Sequence, residues 1–244
     1  ILNPADFLVN TDSTNPTVAI NNGKNIVIVA IDTEKANDKL GNTVNISGKV
    51  NANSGDVVVN AKSQTSHSDA VVNIKSGADI KGNNVSIKAY QDVDSLNGST
   101  IYLSNDIREW LAFDSVIDYL SPNFADLVAE VNIESGSKIT ATKNLDISSD
   151  IKAELSSSFI FPAMSVNYVE VDSKSNAIVK SGAELSAENL NVGATTDIEL
   201  STSSKATNVL IGDKNKVGTL AVNIINEDVS TNAEIENGAK LSVT

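Results

Sequence analysis

Hydrophobic and polar residues alternate along most of this chain, in runs that tight turns separate. In Val85-Ser86-Ile87-Lys88 the aliphatic side chains fall on one face of an extended backbone and the polar side chains on the other. A period of two residues is typical of a β-strand with one buried face. The pattern therefore predicts an all-β protein.

One phrase centred on a glycine returns along the chain and divides it into repeats. Its four copies are Ser76-Gly77-Ala78-Asp79-Ile80, Ser135-Gly136-Ser137-Lys138-Ile139, Ser181-Gly182-Ala183-Glu184-Leu185 and Asn237-Gly238-Ala239-Lys240-Leu241. A glycine at this place supplies the positive φ that a sharp corner needs. Each copy is therefore predicted to be a strand, a tight turn and a further strand.

Three copies also carry an asparagine just before their next strand, at Asn84, Asn144 and Asn189. A short amide side chain tolerates a left-handed backbone and hydrogen-bonds the turn. If successive copies stack on one another, these amides are expected to form a ladder.

The spacing of the repeats favours a solenoid. The turn glycines at positions 77, 136, 182 and 238 are 59, 46 and 56 residues apart, which is too uneven for propeller blades of fixed length. A parallel β-helix tolerates such spacing because loops leave the coil at its corners. Residues 1–244 are thus predicted to form one β-helix (β-solenoid) segment of a longer filament, with about 20 residues per coil and two or three coils in each interval.

Two segments interrupt the alternation. Residues 104–121 are predicted to form a helical insert, with an N-cap at Ser104 or Asn105, a broad apolar face and a stop at Ser121-Pro122. Residues 156–165 are predicted to form an apolar loop insert. Aromatic residues concentrate in or beside the two inserts, at Trp110, Phe113, Tyr119, Phe124, Phe159 and Phe161.

Aromatic side chains are enriched where proteins bind partners, so these six residues are the candidate partner-binding residues. The alternative is that the inserts bury their apolar faces against the flank of the coil. Both readings hold if the two inserts pack on each other.

Composition narrows the chemistry further. Asp and Glu number 31 against 18 Lys and Arg, which disfavours nucleic acid as a partner. The absence of cysteine and the single histidine, His67, exclude disulfides, thiolate sites and histidine-rich zinc sites. No metal, cofactor or catalytic residue is predicted.

Carboxylates two residues apart occur at Asp92/Asp94, Glu170/Asp172 and Asp197/Glu199. On a strand each pair shares one face at about 6–7 Å, a separation that an acid–base pair can use. Solvated outer faces, calcium capture and catalysis are the three interpretations. A carbohydrate-active β-helix enzyme, either a polysaccharide lyase or a hydrolase, is therefore the rival to a non-enzymatic protein.

The phrases Ser181-Gly182-Ala183-Glu184-Leu185 and Asn189-Leu190-Asn191-Val192 resemble the repeats of filamentous haemagglutinin-like, two-partner-secreted adhesins. They are most similar to the fusobacterial leukotoxin-type filamentous adhesins. The resemblance implies a right-handed parallel β-helix, secretion through an outer-membrane pore, a secreted or cell-surface location, and virulence through host-cell binding or damage. The Asn-Pro-Asn-Gly phrase of the family's secretion domain is absent, so the resemblance implies a shaft fragment that presents inserts to a host-cell receptor or membrane.

Overall fold

The structure is a computed structural model that describes residues 7–10, 20–21, 25–31, 42–52, 54–66, 69–94, 96–98, 101–102, 119–162, 164–207, 210–211, 215–216 and 220–243. Within these ranges every regular element is a β-strand, and the strands form three large sheets whose main-path neighbours run parallel. The all-β prediction is confirmed.

The strands of the three sheets are as follows. Sheet A contains β1 (Phe7–Asn10), β3 (Ile26–Ile31), β6 (Val57–Ser63), β9 (Val85–Val93), β14 (Asn144–Pro162) and β17 (Asn189–Thr207). Sheet C contains β4 (Asn42–Ile46), β7 (Ala70–Ile74), β12 (Tyr119–Ile133), β15 (Met164–Val179) and β20 (Leu220–Ile235). Sheet B contains β2 (Ile20–Asn21), β5 (Lys49–Asn51), β8 (Asp79–Gly82), β13 (Lys138–Ala141), β16 (Glu184–Ala187) and β21 (Lys240–Val243). Short β10 (Asn97–Gly98) and β11 (Ile101–Tyr102) pair antiparallel with β12, and β18 (Leu210–Ile211) pairs antiparallel with β19 (Asn215–Lys216).

The chain passes through sheets A, C and B in turn and then returns to sheet A one strand further along. Strands β6, β7 and β8 form the third coil, β9, β12 and β13 the fourth, β14, β15 and β16 the fifth, and β17, β20 and β21 the sixth. This is a parallel β-helix, as the repeats predict. Its right-handed sense stays a prediction.

The expected coil length is wrong. Each interval between turn glycines contains one coil, because the strands of sheets A and C reach 19 and 16 residues in the fifth coil. Short solenoid repeats of about 20 residues have no room for such strands.

Aliphatic side chains fill the interior in columns that run from coil to coil. Val59, Ile87 and Ile147 are in register on sheet A, and each is completely buried. Burying one such side chain stabilises the fold by about 1.5–3 kcal/mol. Because neighbouring coils also pair each other's strand edges, stacking satisfies the backbone and the core together.

The predicted corner is confirmed at all four turn glycines. Gly77, Gly136, Gly182 and Gly238 have φ values of 81°, 77°, 81° and 98°, a region that side chains disfavour. The N–H of each of the first three glycines donates to the carbonyl of the glycine in the next coil, at 3.2, 3.1 and 3.0 Å. The corner is therefore a column of stacked glycines.

The predicted asparagine ladder is also confirmed. Asn144 Nδ2 donates to Asn84 Oδ1 at 2.8 Å, and Asn189 Nδ2 donates to Asn144 Oδ1 at 3.0 Å. Asn84 Nδ2 in turn donates to Asp56 Oδ1 at 2.8 Å, which extends the column into the previous coil.

The solenoid widens along its axis, and its interior changes character as it does so. Sheet A strands grow from 7 residues in β6 to 19 in β14, and sheet C strands from 5 in β7 to 15 in β12. In the added width, buried Asn123 donates to Ser157 Oγ at 2.9 Å and to Asn167 Oδ1 at 3.1 Å. Buried polar groups need such partners, so this part of the interior is a hydrogen-bonded layer.

The structure corrects one predicted insert and reaches only the end of the other. Residues 156–162 continue β14 and 164–165 begin β15, so the apolar loop is wrong where the structure describes it. The predicted helical insert, 104–121, lies outside the described residues over 104–118 and stays a prediction there, whereas its expected end, 119–121, begins β12. There Leu120 pairs with Ile101 on one side and with Val166 on the other, so extended backbone is satisfied by two neighbouring strands.

Candidate functional site

One outer surface combines aromatic rings and carboxylates, on sheet C where the solenoid is wide. We call it the aromatic–acidic face, and its residues are Phe124, Asp126, Tyr168, Glu170, Asp172 and Asp228. Odd-numbered residues of β12 and β15, such as Leu127 and Val171, are buried in the core. Even-numbered residues therefore point outward, because strand side chains alternate between faces.

The aromatic part is a pair of rings on adjacent coils. Phe124 is 41% exposed, and its ring centroid lies 6.2 Å from that of Tyr168 with an interplanar angle of 59°. The Tyr168 hydroxyl donates to Glu170 Oε2 at 2.9 Å, and this bond is the main reason that the pKa of Tyr168 is raised. The pair therefore forms an apolar platform with one polar edge fixed by a carboxylate.

The acidic part is a column of like charges. Asp126, Asp172 and Asp228 are in register across β12, β15 and β20, which are about 4.8 Å apart as neighbouring strands are. Although Asp172 is exposed, its pKa is raised by the hydration that it loses on this face and then by the negative charges of Glu170, Asp228 and Asp126.

Nearby lysine does not neutralise this column. Lys174, two residues along β15 from Asp172, forms its ion pair with Glu130 at 2.6 Å. Among the described residues, the ion pairs of the solenoid include none to the three aspartates. The column is an uncompensated negative stripe.

The geometry of this stripe is not that of a metal centre. In the part of the chain that the structure covers, no three or more His, Asp or Glu side chains are grouped so that they could hold a metal ion. In-register aspartates extend in a line along the solenoid axis, whereas a calcium site needs oxygens that converge on one point.

The other two predicted carboxylate pairs lie on the outer face of sheet A. Asp92 is 3.8 Å from Lys62, and Asp197 is in register with Lys152. Asp94 follows the end of β9, and both it and Glu199 are exposed. Lysines are interspersed among these acids, which distinguishes sheet A from the aromatic–acidic face.

The six candidate partner-binding residues are only partly brought together. Phe124 is exposed on the aromatic–acidic face, whereas Phe159 continues the inward series of Leu155 and Ser157 and is half-buried. Trp110 and Phe113 lie outside the described residues, as does His67, and only the backbones of Tyr119 and Phe161 are described.

Sequence reasoning missed the partner of Phe124 and the acidic column. Tyr168 lies 44 positions along the chain, and Asp126, Asp172 and Asp228 become neighbours only when three coils are aligned. The signal was available in the turn phrase, since counting back from each turn glycine aligns the strands of sheet C.

Comparison with known proteins adds no relative. No protein-family model, curated protein or solved structure matches this chain. Among the described residues there is also no helix long and apolar enough to cross a membrane.

Proposed function

We propose that this chain is a non-enzymatic shaft segment of a secreted or surface-exposed bacterial filamentous adhesin of the leukotoxin type. In this proposal the parent protein leaves the cell through an outer-membrane secretion pore, and the solenoid carries a contact surface for a host-cell receptor or membrane. The single observation that supports it best is the aromatic–acidic face, where the exposed Phe124 ring lies against the half-buried Tyr168 ring on a parallel β-helix.

The mechanism follows from the stack. Continuous backbone ladders and an aliphatic interior hold the outer side chains in fixed positions, so a partner meets a preformed surface. Exposed aromatic rings on such a surface provide contact area at a small cost in side-chain entropy. The net charge of −13 keeps a long solenoid soluble and opposes contact with acidic polymers.

Binding to host cells tests the proposal. Fluorescently labelled protein is incubated with cultured mammalian epithelial cells and leukocytes, and bound protein is measured by flow cytometry. Phe124→Ser combined with Tyr168→Ser is expected to weaken binding about tenfold or more, since truncating a central aromatic contact commonly costs more than 1 kcal/mol.

Tyr90→Ser is the matched control. Tyr90 is a half-buried aromatic on the outer face of sheet A, with Lys62 and Lys88 at 5.4 and 5.0 Å from its ring centroid. Its loss is expected to leave binding unchanged. Failure of the unsubstituted chain to bind, or equal losses in both variants, would overturn the role of the aromatic–acidic face.

A separate deletion tests the predicted helical insert with Trp110 and Phe113. It replaces residues 103–118 with Asn-Gly, because Tyr102 and Tyr119 are antiparallel partners that a two-residue turn can join, and it stops before Tyr119, where β12 begins. If the insert contacts the host cell, binding falls while the β-type circular dichroism stays unchanged. Unchanged binding removes the insert from the proposal.

A second candidate function, a carbohydrate-active enzyme, is favoured by one observation. Asp172 has a raised pKa and lies beside Glu170 and an aromatic platform, and such surroundings suit a proton donor to a sugar. A panel of neutral and acidic polysaccharides, with and without calcium, tests it. Turnover that Asp172→Asn abolishes would replace the adhesin proposal, and no turnover on any polysaccharide would leave this candidate without support.

A further inference from the structure

Two outward columns of side chains change sign from one coil to the next. The turn column, just before each turn glycine, consists of Lys75, Glu134, Lys180 and Glu236. The sheet-B column, at or near the first position of each sheet B strand, consists of Lys49, Asp79, Lys138, Glu184 and Lys240. Both columns alternate strictly over the third to sixth coils.

Three ion pairs within the columns follow this alternation, whereas Asp79 pairs with Lys81 of its own strand. Lys75 Nζ lies 2.8 Å from Glu134 Oε1, and this bond is the main cause of the lowered pKa of Glu134. In the sheet-B column, Glu184 lies between two lysines, at 2.7 Å from Lys240 and 3.8 Å from Lys138. The pKa of Glu184 is lowered first by its bond to Lys240.

The two columns are in opposite phase. Each coil carries one charge in the turn column and the opposite charge four positions later, as in Lys180 and Glu184 or Glu236 and Lys240. If two neighbouring coils carried the same sign at the turn position, they would also carry the same sign at the sheet-B position, so like charges would lie together in both columns. The columns thus distinguish one stacking order from another, which the aliphatic interior alone does not.

At the end of the sixth coil, core residues are exposed that no other described residue covers. Ile225, Val229, Ile235, Leu241 and Val243 are 40–59% exposed. Their in-register neighbours in the fifth coil are at most 5% exposed, for example Val169 opposite Ile225 and Leu185 opposite Leu241. These five side chains belong to interior columns, and within the described residues no further rung covers them.

Hydrogen-bonding groups at this end also follow the repeat. Gly77, Gly136 and Gly182 each donate their N–H to the following coil, so the N–H of Gly238 is placed to donate to a next rung. Each ladder asparagine donates back to the previous coil, which leaves Asn189 Oδ1 to accept from an amide in the next one.

We propose that the uncovered end of the sixth coil is the acceptor surface for one further rung continuing the same polypeptide. That rung carries a basic residue in the turn column and an acidic residue in the sheet-B column, with asparagine and glycine in their own columns. The fifth coil, residues 144–188, has this combination in Asn144, Lys180, Gly182 and Glu184. The inference rests on the stacking of the solenoid and does not depend on the adhesive role.

An extended chain tests it. A second copy of residues 144–188 is joined directly after Thr244. Thr244 then stands between Val243 and the appended Asn144, just as Glu188 stands between Ala187 and Asn189 at the previous junction of two coils. The comparison chain has the same extension with Lys180→Glu and Glu184→Lys in the appended copy only. Composition, length and apolar pattern are identical in the two chains.

Hydrogen exchange of the β20 and β21 amides and thermal unfolding are the measurements. The matched extension is expected to slow exchange across both strands, and the exchanged-charge extension to unfold about 2–4 °C lower, as a difference of one or two exposed ion pairs produces. Equal unfolding temperatures, or no protection of β20 and β21 by the matched extension, would overturn the proposal.

Analytical sedimentation of the unextended chain tests the alternative that a second copy of the chain, rather than a further rung, covers the end of the sixth coil. If the chain dimerises, and Ile225→Lys abolishes the dimer while Ile224→Lys does not, a second copy covers the end and the further rung is wrong. Ile224 is the matched control because it is 45% exposed against 49% for Ile225 but lies on the opposite face of β20. A monomer at all concentrations supports the rung. Every one of these outcomes leaves cell binding by the aromatic–acidic face to be decided by its own assay.

Discussion

Replacing Gly182 by alanine isolates what a side chain costs at the stacked corner. Gly182 has φ of 81°, and a Cβ there would lie 2.6 Å from Ser135 Oγ of the previous coil. Gly77 has the same φ, and a Cβ there would meet no atom within 4 Å. The two alanine variants therefore share the backbone strain and differ only in the contact.

The expected magnitudes separate the two effects. A left-handed backbone costs an alanine about 1–2 kcal/mol, and the loss of glycine flexibility in the unfolded chain returns about 0.4–1 kcal/mol. Gly77→Ala is thus expected to destabilise the fold by about 1 kcal/mol. Gly182→Ala carries in addition a steric conflict of about 1–2 kcal/mol, because Ser135 must leave its rotamer or the corner must move.

Urea unfolding followed by far-ultraviolet circular dichroism measures both variants and a rescue. Ser135→Ala removes the hydroxyl that the new Cβ would meet, so the double variant with Gly182→Ala should return to the level of Gly77→Ala. Equal losses for Gly77→Ala and Gly182→Ala, or a double variant no more stable than Gly182→Ala, would refute the reasoning. Midpoints are compared at unchanged slope, so that a change in cooperativity is not counted as a change in stability.

Two further predictions concern the outer columns. The folded state raises the pKa of Asp172, so between the unfolded pKa near 3.9 and the folded pKa the folded chain binds more protons than the unfolded chain. The Asp172 carboxylate therefore destabilises the fold above its folded pKa and ceases to do so below the unfolded pKa. Asp172→Asn should therefore raise stability at pH 7 by about 0.5 kcal/mol, with a gain that disappears towards pH 3 and shrinks in high salt; a gain that persists at pH 3 would contradict the charge explanation. Asn144→Ala loses two ladder hydrogen bonds, at 2.8 and 3.0 Å, whereas Asn189→Ala loses one. In thermal unfolding, Asn144→Ala should therefore destabilise the fold by about 1 kcal/mol and Asn189→Ala by about half as much. Equal losses of stability would show that the ladder is not additive.

The sequence predicted those features in which a local backbone conformation requires one particular type of residue. Gly136 and Gly182 are needed at a positive φ whatever the neighbouring coils are, and Asn144 suits the corner for the same local reason. Alternation also identified strands such as β9, where inward residues are aliphatic and outward ones polar. These signals lie within a few residues of each other, so they can be read without aligning the coils.

The wide part of the solenoid was misread because its interior is polar. Around residues 156–162 the inward position is occupied by Ser157, which bonds Asn167 Oδ1 at 2.8 Å, and the outward position Ile160 is 59% exposed. Hydrophobic alternation therefore disappears although the strand continues. At Tyr119–Ser121 an apolar run before Pro122 looked like the end of a helix, whereas pairing with distant β11 and β15 fixes it as strand.

The aromatic–acidic face was beyond sequence reasoning for a different reason. Phe124 and Tyr168 meet only through the register of β12 and β15, which depends on the lengths of the intervening segments. An alignment anchored on Gly136 and Gly182 places them in adjacent columns, but periodicity alone does not. Proximity across coils is therefore predictable only after the single-coil interval is recognised.

The order in which the coils stack needs an explanation that the core does not provide. Interior columns repeat similar aliphatic residues, and the glycine and asparagine columns are the same in the fourth and fifth coils, so each of these would accept a rung shifted by one coil. The alternating turn and sheet-B columns differ between neighbours from the third coil to the sixth, for example Glu134 against Lys180, and strand length differs only as far as the fifth coil. A rung shifted by one coil would oppose like charges in both columns, and before the fifth coil it would also leave long strands unpaired. The strong interior contacts are similar in the native order of coils and in a shifted order, so they do not distinguish the two. The weaker contacts between charged side chains on the outer surface therefore select the native order.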